Sequence, residues 1–212
     1  VPGRVVYREV VRKGSGNMNP ADWETIAAAA HGAIQSGTDG VVVFHGTDTL
    51  AFTAGALSFM LQRLPVPVVL TGSMRPGGGP DSDAPRNARN ALRVAASADL
   101  AEVVIVFSRD ETGGHGVILR GNRARKQSST ALSAFVTPNY PPLGFVDGDA
   151  IRYSKAARTR RSVGAEAGLS AELNPNVSLV RYHPGCTAAS VVRALAEVDG
   201  AVVEGTGLGH LP

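Results

Sequence analysis

Residues 40–50 read GVVVFHGTDTL, an apolar run that ends in a polar, glycine-containing turn. Consecutive apolar residues without polar ones between them are typical of a strand buried on both faces of a parallel sheet. The turn places a hydroxyl (Thr47) beside a carboxylate (Asp48), and the residues that follow predict a helix over 50–61. Open α/β sheets are built from such strand–turn–helix units, and they bind ligands where the strands end.

The alternation of strands and helices continues on both sides of this segment. Strands are predicted over residues 5–11, 40–45, 66–71 and 102–107, and helices over residues 19–36, 50–61 and 86–96. This rhythm predicts an α/β fold with a doubly wound, mostly parallel sheet of the Rossmann or flavodoxin type.

The pattern weakens near the end of the chain. Residues 152–175 are polar and rich in Arg, Ser and Ala, which predicts a linker after a first domain of residues 1–151. A strand, a helix and a strand then follow, so residues 176–212 are predicted to begin a second, smaller α/β domain.

The composition narrows the function classes. A net charge of +3 with 5% aromatic residues, and no basic face interleaved with aromatics, predicts no nucleic-acid partner. No apolar run approaches the ~20 residues of a membrane-spanning helix. Cys186 is the only cysteine, which excludes an intrachain disulfide and favours a reducing compartment, the cytoplasm. The histidines lack metal-ligand spacing and the glycine-rich stretches lack a nucleotide-binding pattern, so no cofactor or metal is predicted.

Residues 41–50 resemble the second signature of the L-asparaginase family. Four further segments resemble that family in the expected order, and together they cover nearly the whole chain: residues 14–18 (GSGNM), 68–76 with 82–84 (VVLTGSMRP and SDA), 125–135 (RKQSSTALSAF) and 142–144 (PLG). The first domain is therefore identified as resembling the N-terminal catalytic domain of an asparaginase, and the second as the start of its C-terminal domain.

The resemblance implies a function and a site. Thr47, Asp48 and Lys126 match the family's Thr–Asp–Lys triad, and the reaction is hydrolysis of L-asparagine to L-aspartate and ammonia by a threonine nucleophile. It implies a homo-oligomer and no cofactor. The substrate-binding residues that it implies are Ser15, Gly16, Gly46, Thr47 and Asp48.

The chemistry of these residue types fits that reaction. An amide is a poor electrophile, so an attacking hydroxyl needs a base. A lysine serves as the base only in its neutral form, which burial favours and a nearby carboxylate opposes. Asp48 is therefore better suited to orient Lys126 and to bind the substrate ammonium. Without the resemblance, Thr47 would be interpreted as a helix cap, Lys126 as a surface residue and Asp83 as a turn residue.

The sequence departs from the family's pattern in two respects. The first signature, a Thr-Gly-Gly-Thr-Ile strand that carries the primary nucleophile, is absent from these residues, so the chain is expected to be truncated at both ends and inactive by itself. Gly16 replaces a side chain that helps to hold the substrate, which puts strict discrimination of aspartate-type substrates in doubt.

Two other functions stay open. Residues 57–61, 120–123 and 204–210 resemble the ammonia-producing subunit of the archaeal Glu-tRNA(Gln) amidotransferase, which shares the triad and releases ammonia for a partner. Only that alternative involves a nucleic acid. The remaining alternative is a non-catalytic amino-acid-binding domain, which the intact triad disfavours.

We expect the reading frame upstream of Val1 to encode a strand that ends in Thr-Gly-Gly-Thr or a close variant, because every later segment of the family is present in order. Sequencing the genomic DNA upstream of residue 1 tests this. A start codon directly before Val1, with no such strand, would favour the non-catalytic alternative.

Overall fold

The structure is a computed structural model that describes residues 3–75, 77–112, 114–156, 158–162 and 164–211. They form two compact units, which divide between Ala171 and Glu172. The helices of the structure are α1 (Pro20–Gln35), α2 (Thr47–Met60), α3 (Ala84–Ser97) and α4 (Ala188–Leu195). The strands of the first unit are β1 (Val41–Phe44), β2 (Leu61–Gln62), β3 (Val68–Thr71), β4 (Val103–Ser108), β5 (His115–Arg120), β6 (Arg125–Lys126), β7 (Phe135–Val136), β8 (Gly144–Asp147), β9 (Ala150–Tyr153) and β10 (Gly168–Leu169). Those of the second unit are β11 (Val177–Arg181) and β12 (Gly200–Glu204).

The main sheet has six strands in the order β1-β3-β4-β5-β8-β9. The pairs β1–β3 and β3–β4 are parallel, as predicted, and the pairs from β4 to β9 are antiparallel. A parallel connection needs a crossover of a dozen or more residues, whereas residues 109–114 join β4 directly to β5 and so make an antiparallel pair. The predicted α/β class is confirmed, and the sheet is mixed.

Helices cover both faces of the parallel half. On one face, Val69, Val104 and Val106 pack against Ala91 and Val94 of α3. Successive strand residues point to opposite faces, so the intervening apolar residues of β3 and β4 face the other way, where α2 packs on the same two strands. The residues of β3 and β4 are therefore buried on both faces of the sheet.

Two segments differ from the prediction. No strand forms over residues 5–11, where Val5, Val6 and Tyr7 are 68%, 72% and 80% exposed. A strand requires a neighbour, and among the described residues none pairs with this segment or with the outer side of β1, which lies at the sheet edge.

The predicted linker, residues 152–175, lies largely within the first unit. β9 contains Arg152, and β10 pairs with β2. The guanidinium of Arg161 donates to the carbonyls of Ala95 and Ala98 at 2.6 Å each. The unit boundary after Ala171 therefore falls inside the segment that the composition marks as a linker.

The second unit contains β11, α4 and β12, with the two strands parallel. It is a single βαβ unit, as its sequence predicts. Over the described parts of both units, none of the helices combines the length and the apolar character needed to cross a membrane.

We expect Leu57→Ala to lower the free energy of unfolding by about 2–5 kcal/mol, because Leu57 is fully buried on α2 and its truncation leaves a cavity. Phe59→Ala, in the same helix but 70% exposed, should change it by no more than about 0.5 kcal/mol. Urea unfolding followed by circular dichroism measures both. Equal losses would mean that the inner and outer faces of α2 are assigned incorrectly.

Candidate active site

Two neighbouring strands end where α2 begins. Phe44 of β1 is level with Thr71 of β3, and the N–H of His45 donates to the Thr71 carbonyl at 2.8 Å, just beyond the ladder. Gly46 is the N-cap of α2 and Thr47 is its first residue. The helix N-terminus therefore lies at the carboxyl edge of the parallel strands, where α/β proteins bind ligands.

Lys126 reaches this edge from β6, which pairs with β7 in a separate two-stranded sheet. Its Nζ donates to Thr47 Oγ1 at 2.9 Å and to Asp48 Oδ1 at 2.7 Å. Thr47 and Lys126 are 79 positions apart in the chain. The structure thus brings together the three residues predicted as catalytic, within direct hydrogen-bonding distance.

The two charges of this group differ in their access to solvent. The side chain of Lys126 is 15% exposed, whereas that of Asp48 is 72% exposed. The hydrogen bond from Lys126, reinforced by its charge, lowers the pKa of the Asp48 carboxyl below its ordinary value. Asp48 is therefore an anion at neutral pH, open to solvent and paired with a cation that is largely covered.

Ser15 lies against the same turn. It opens a short 3-10 turn (Ser15–Asn17), it is 8% exposed, and its carbonyl accepts from Thr49 Oγ1 at 2.7 Å. A Cβ at position 46 would lie 2.6 Å from Ser15 Oγ, so only glycine fits there. A Cβ on Gly16 would meet nothing within 4 Å, which leaves open space beside Ser15.

Three residues that the sequence did not mark as functional support the turn. Trp23 Nε1 donates to Thr53 Oγ1 at 2.9 Å, and that hydroxyl lies 3.0 Å from His45 Nε2. His45 Nδ1 lies 2.7 Å from the carbonyl oxygen of Gly46. Burial lowers the pKa of His45, although its bond to Gly46 acts in the opposite direction, so the ring is neutral at pH 7. The only sequence signal for this group is that His45 lies within the signature itself.

Asp83 has a structural role. It is fully buried, and its carboxylate accepts from the N–H groups of Met74 and Arg75 and from Asn87 Nδ2. Asn87 in turn donates to the Gly72 carbonyl at 2.9 Å. These bonds order the loop that follows β3 and connect it to α3.

An open groove of about 540 Å³ adjoins the turn. Its lining residues are Phe44, His45, Gly46, Gly72, Ser73, Ala84, Pro85 and Ala88. Gly46 lines the groove and directly precedes Thr47, whereas Thr47, Asp48 and Lys126 are not among its lining residues. Within the described ranges, no cluster of His, Cys, Asp and Glu side chains is placed to hold a metal ion.

The sequence matches the family model "Asparaginase, N-terminal" over residues 3–159. The chain therefore belongs to the asparaginase family of amidohydrolases. Two relatives are similar to nearly all of it. A glutamyl-tRNA(Gln) amidotransferase subunit of Halobacterium salinarum is 42% identical over 220 residues, which cover 99% of this chain and 51% of that protein. L-asparaginase of Thermococcus kodakarensis is 40% identical over 211 residues, which cover 99% and 60%.

Comparison of the fold with solved structures indicates the same family as the sequence comparison. The solved structure of the thermostable L-asparaginase from Thermococcus kodakarensis superposes with a TM-score of 0.88 at 38% identity, covering 100% of this chain and 61% of that one. The chain spans about half the length of the curated relatives it matches, which include an L-asparaginase and amidotransferase subunits.

We expect the pKa of Asp48 to lie below that of an ordinary aspartate, and to rise toward the ordinary value in Lys126→Met, which removes the donor and the charge. The Asp48–Lys126 pair should therefore persist as the pH falls and break only below the ordinary aspartate range. Carboxyl ¹³C NMR titration measures both values. Asp22, whose pKa is lowered by Lys13, is the internal control and should not change. An Asp48 value unaffected by the substitution would contradict the geometry.

Proposed function

We propose that the protein hydrolyses the side-chain amide of L-asparagine to L-aspartate and ammonia, with a threonine as nucleophile. The observation that carries the proposal is the convergence of Lys126 on Thr47 and Asp48 at 2.9 and 2.7 Å. A surface lysine with no role beyond solubility would not be expected to place its amine beside a hydroxyl and a carboxylate that are 79 and 78 positions away in the chain.

The arrangement can transfer protons in amide hydrolysis. The threonine oxygen attacks the amide carbon, ammonia leaves with an added proton, and water then releases aspartate from the threonyl ester. Each step needs a group that accepts and returns a proton within about 2.6–3.2 Å of the hydroxyl. Lys126 lies at that distance from Thr47 Oγ1. Once it has lost its own proton, it accepts a proton from Thr47, and Thr47 in turn accepts one from the attacking threonine, which the resemblance places in the first signature.

Asp48 and the helix start suit the two ends of an α-amino acid. Lys126 occupies Oδ1 of Asp48, and among the described residues Oδ2 accepts no hydrogen bond, so it is open to the substrate ammonium. Gly46 caps α2 without a side-chain hydrogen bond, which leaves first-turn N–H groups of α2 for a carboxylate. Ser15 packs against Gly46 and would line the carboxylate side.

A second candidate is the ammonia-producing subunit of a Glu-tRNA(Gln) amidotransferase. The observation in its favour is the 42% identity to the amidotransferase subunit of Halobacterium salinarum, which is close to the 40% identity to the Thermococcus kodakarensis asparaginase. Ammonia release from L-asparagine without any partner supports the hydrolase. Release that requires a partner protein and a glutamylated tRNA supports the amidotransferase.

The cytoplasmic location and the homo-oligomeric state stay predictions. The intact hydroxyl–lysine–carboxylate group disfavours the third possibility, a non-catalytic amino-acid-binding domain.

We expect Lys126→Met, in the complete reading frame that contains these residues, to lower kcat for L-asparagine by about 10²–10⁴-fold, because it removes the proton-transfer group. Coupled ammonia release measures kcat, and thermal unfolding checks the fold. Lys13→Met is the control, since Lys13 makes a comparable ion pair with Asp22. Retained activity in Lys126→Met would overturn the role. Ammonia release by residues 1–212 alone would identify Thr47 as the attacking residue.

A further inference from the structure

We infer that Trp23, Thr53 and His45 form a hydrogen-bonded chain of positioning residues that holds the Gly46–Thr47 peptide in place, with His45 fixed as the Nδ1–H tautomer. The inference rests on the proposed role of Thr47 and deepens it. It names the groups that decide where the Thr47 hydroxyl points, although none of them contacts it directly.

The direction of each hydrogen bond follows from the chemistry of its partners. A carbonyl oxygen only accepts, so the 2.7 Å contact to Gly46 requires a proton on His45 Nδ1. A neutral imidazole carries one N–H, so Nε2 is an acceptor and the Thr53 hydroxyl donates to it across 3.0 Å. The indole N–H of Trp23 only donates, so it fills the acceptor side of the same hydroxyl.

The turn before α2 has no capping side chain of its own. A helix N-terminus is commonly held by the side chain of the N-cap residue. Here the N-cap is Gly46, and the 2.6 Å approach of Ser15 Oγ to a Cβ at that position forbids a side chain. His45, one residue earlier, holds the turn in a different way, by donating to the Gly46 carbonyl, which belongs to the peptide that leads into Thr47. Among the described residues, the first-turn N–H groups of α2 are thereby left without a side-chain partner.

The chain also connects the turn to two rigid elements. Thr53 is fully buried on α2, and Trp23 lies on α1. The orientation of the peptide is therefore set by the packing of both helices. A misplacement of about 1 Å at a reacting group can cost about 10²-fold in rate, so this orientation has a kinetic consequence beyond stability.

The experiment uses Thr53→Val, which keeps the shape of the side chain and removes its hydroxyl, in the complete reading frame. We expect kcat for L-asparagine to fall by about 10–10²-fold while KM changes by less than about threefold, because the chain acts on the peptide of Thr47. Thr53→Ser restores the hydroxyl and should restore kcat. Thr25→Val, an exposed threonine of α1, is the matched control.

The ¹⁵N spectrum of the histidine rings, with His45 assigned by its absence in His45→Gln, tests the tautomer without substrate. The wild type should show only Nδ1–H for His45, Trp23→Phe should keep it, and Thr53→Val should move it toward a mixture. A mixture in the wild type, or an unchanged kcat in a folded Thr53→Val, would overturn the inference. A fixed tautomer that is lost in Thr53→Val, in a protein that hydrolyses no amide, would support the positioning chain and overturn the proposed function instead.

Discussion

At the carboxyl ends of β1 and β3, the chain is packed so closely that neither residue 46 nor residue 72 has room for a Cβ. A Cβ on Gly72 would lie 2.2 Å from the His45 carbonyl oxygen, and one on Gly46 would lie 2.6 Å from Ser15 Oγ. Side chains larger than hydrogen would separate the strands or displace the Ser15 turn. Ser15, Thr47, Asp48 and Lys126 therefore meet at the N-terminus of α2.

The electrostatics of the site follow from that position. Lys126 arrives from a small sheet of its own and becomes largely covered, whereas Asp48 on the first turn of α2 remains open to solvent. The covered cation lowers the pKa of the exposed carboxyl, so the site presents an anion outward and keeps an amine against the Thr47 hydroxyl. In the proposed hydrolysis, this single pair of opposite charges serves two tasks: Asp48 binds the substrate ammonium at the surface, and Lys126 transfers protons beneath it.

The sequence pattern predicted those parts of the fold that depend on residues close together in the chain. The buried strands and the turn at 45–49 follow from apolar runs and from glycine in the sequence, whereas Lys126 has no local signal and entered only through the resemblance to asparaginases. The Trp23–Thr53–His45 chain depends on how α1 packs on α2, which periodicity does not encode. Residues 5–11 have strand-forming composition, but a strand also needs a neighbour, and none of the described strands pairs with them.

The second unit has a very small hydrophobic core. Val180 is its one buried apolar residue among those described, and α4 has none, whereas Leu179 and Val202 are 69% and 59% exposed. Within residues 1–212, so little of the apolar area of this unit is removed from water that its local opening costs little free energy compared with the opening of the first unit. Proteases cut chains where opening is easy, so a polypeptide of residues 1–212 alone should be cleaved within residues 172–212 before its first unit is cleaved.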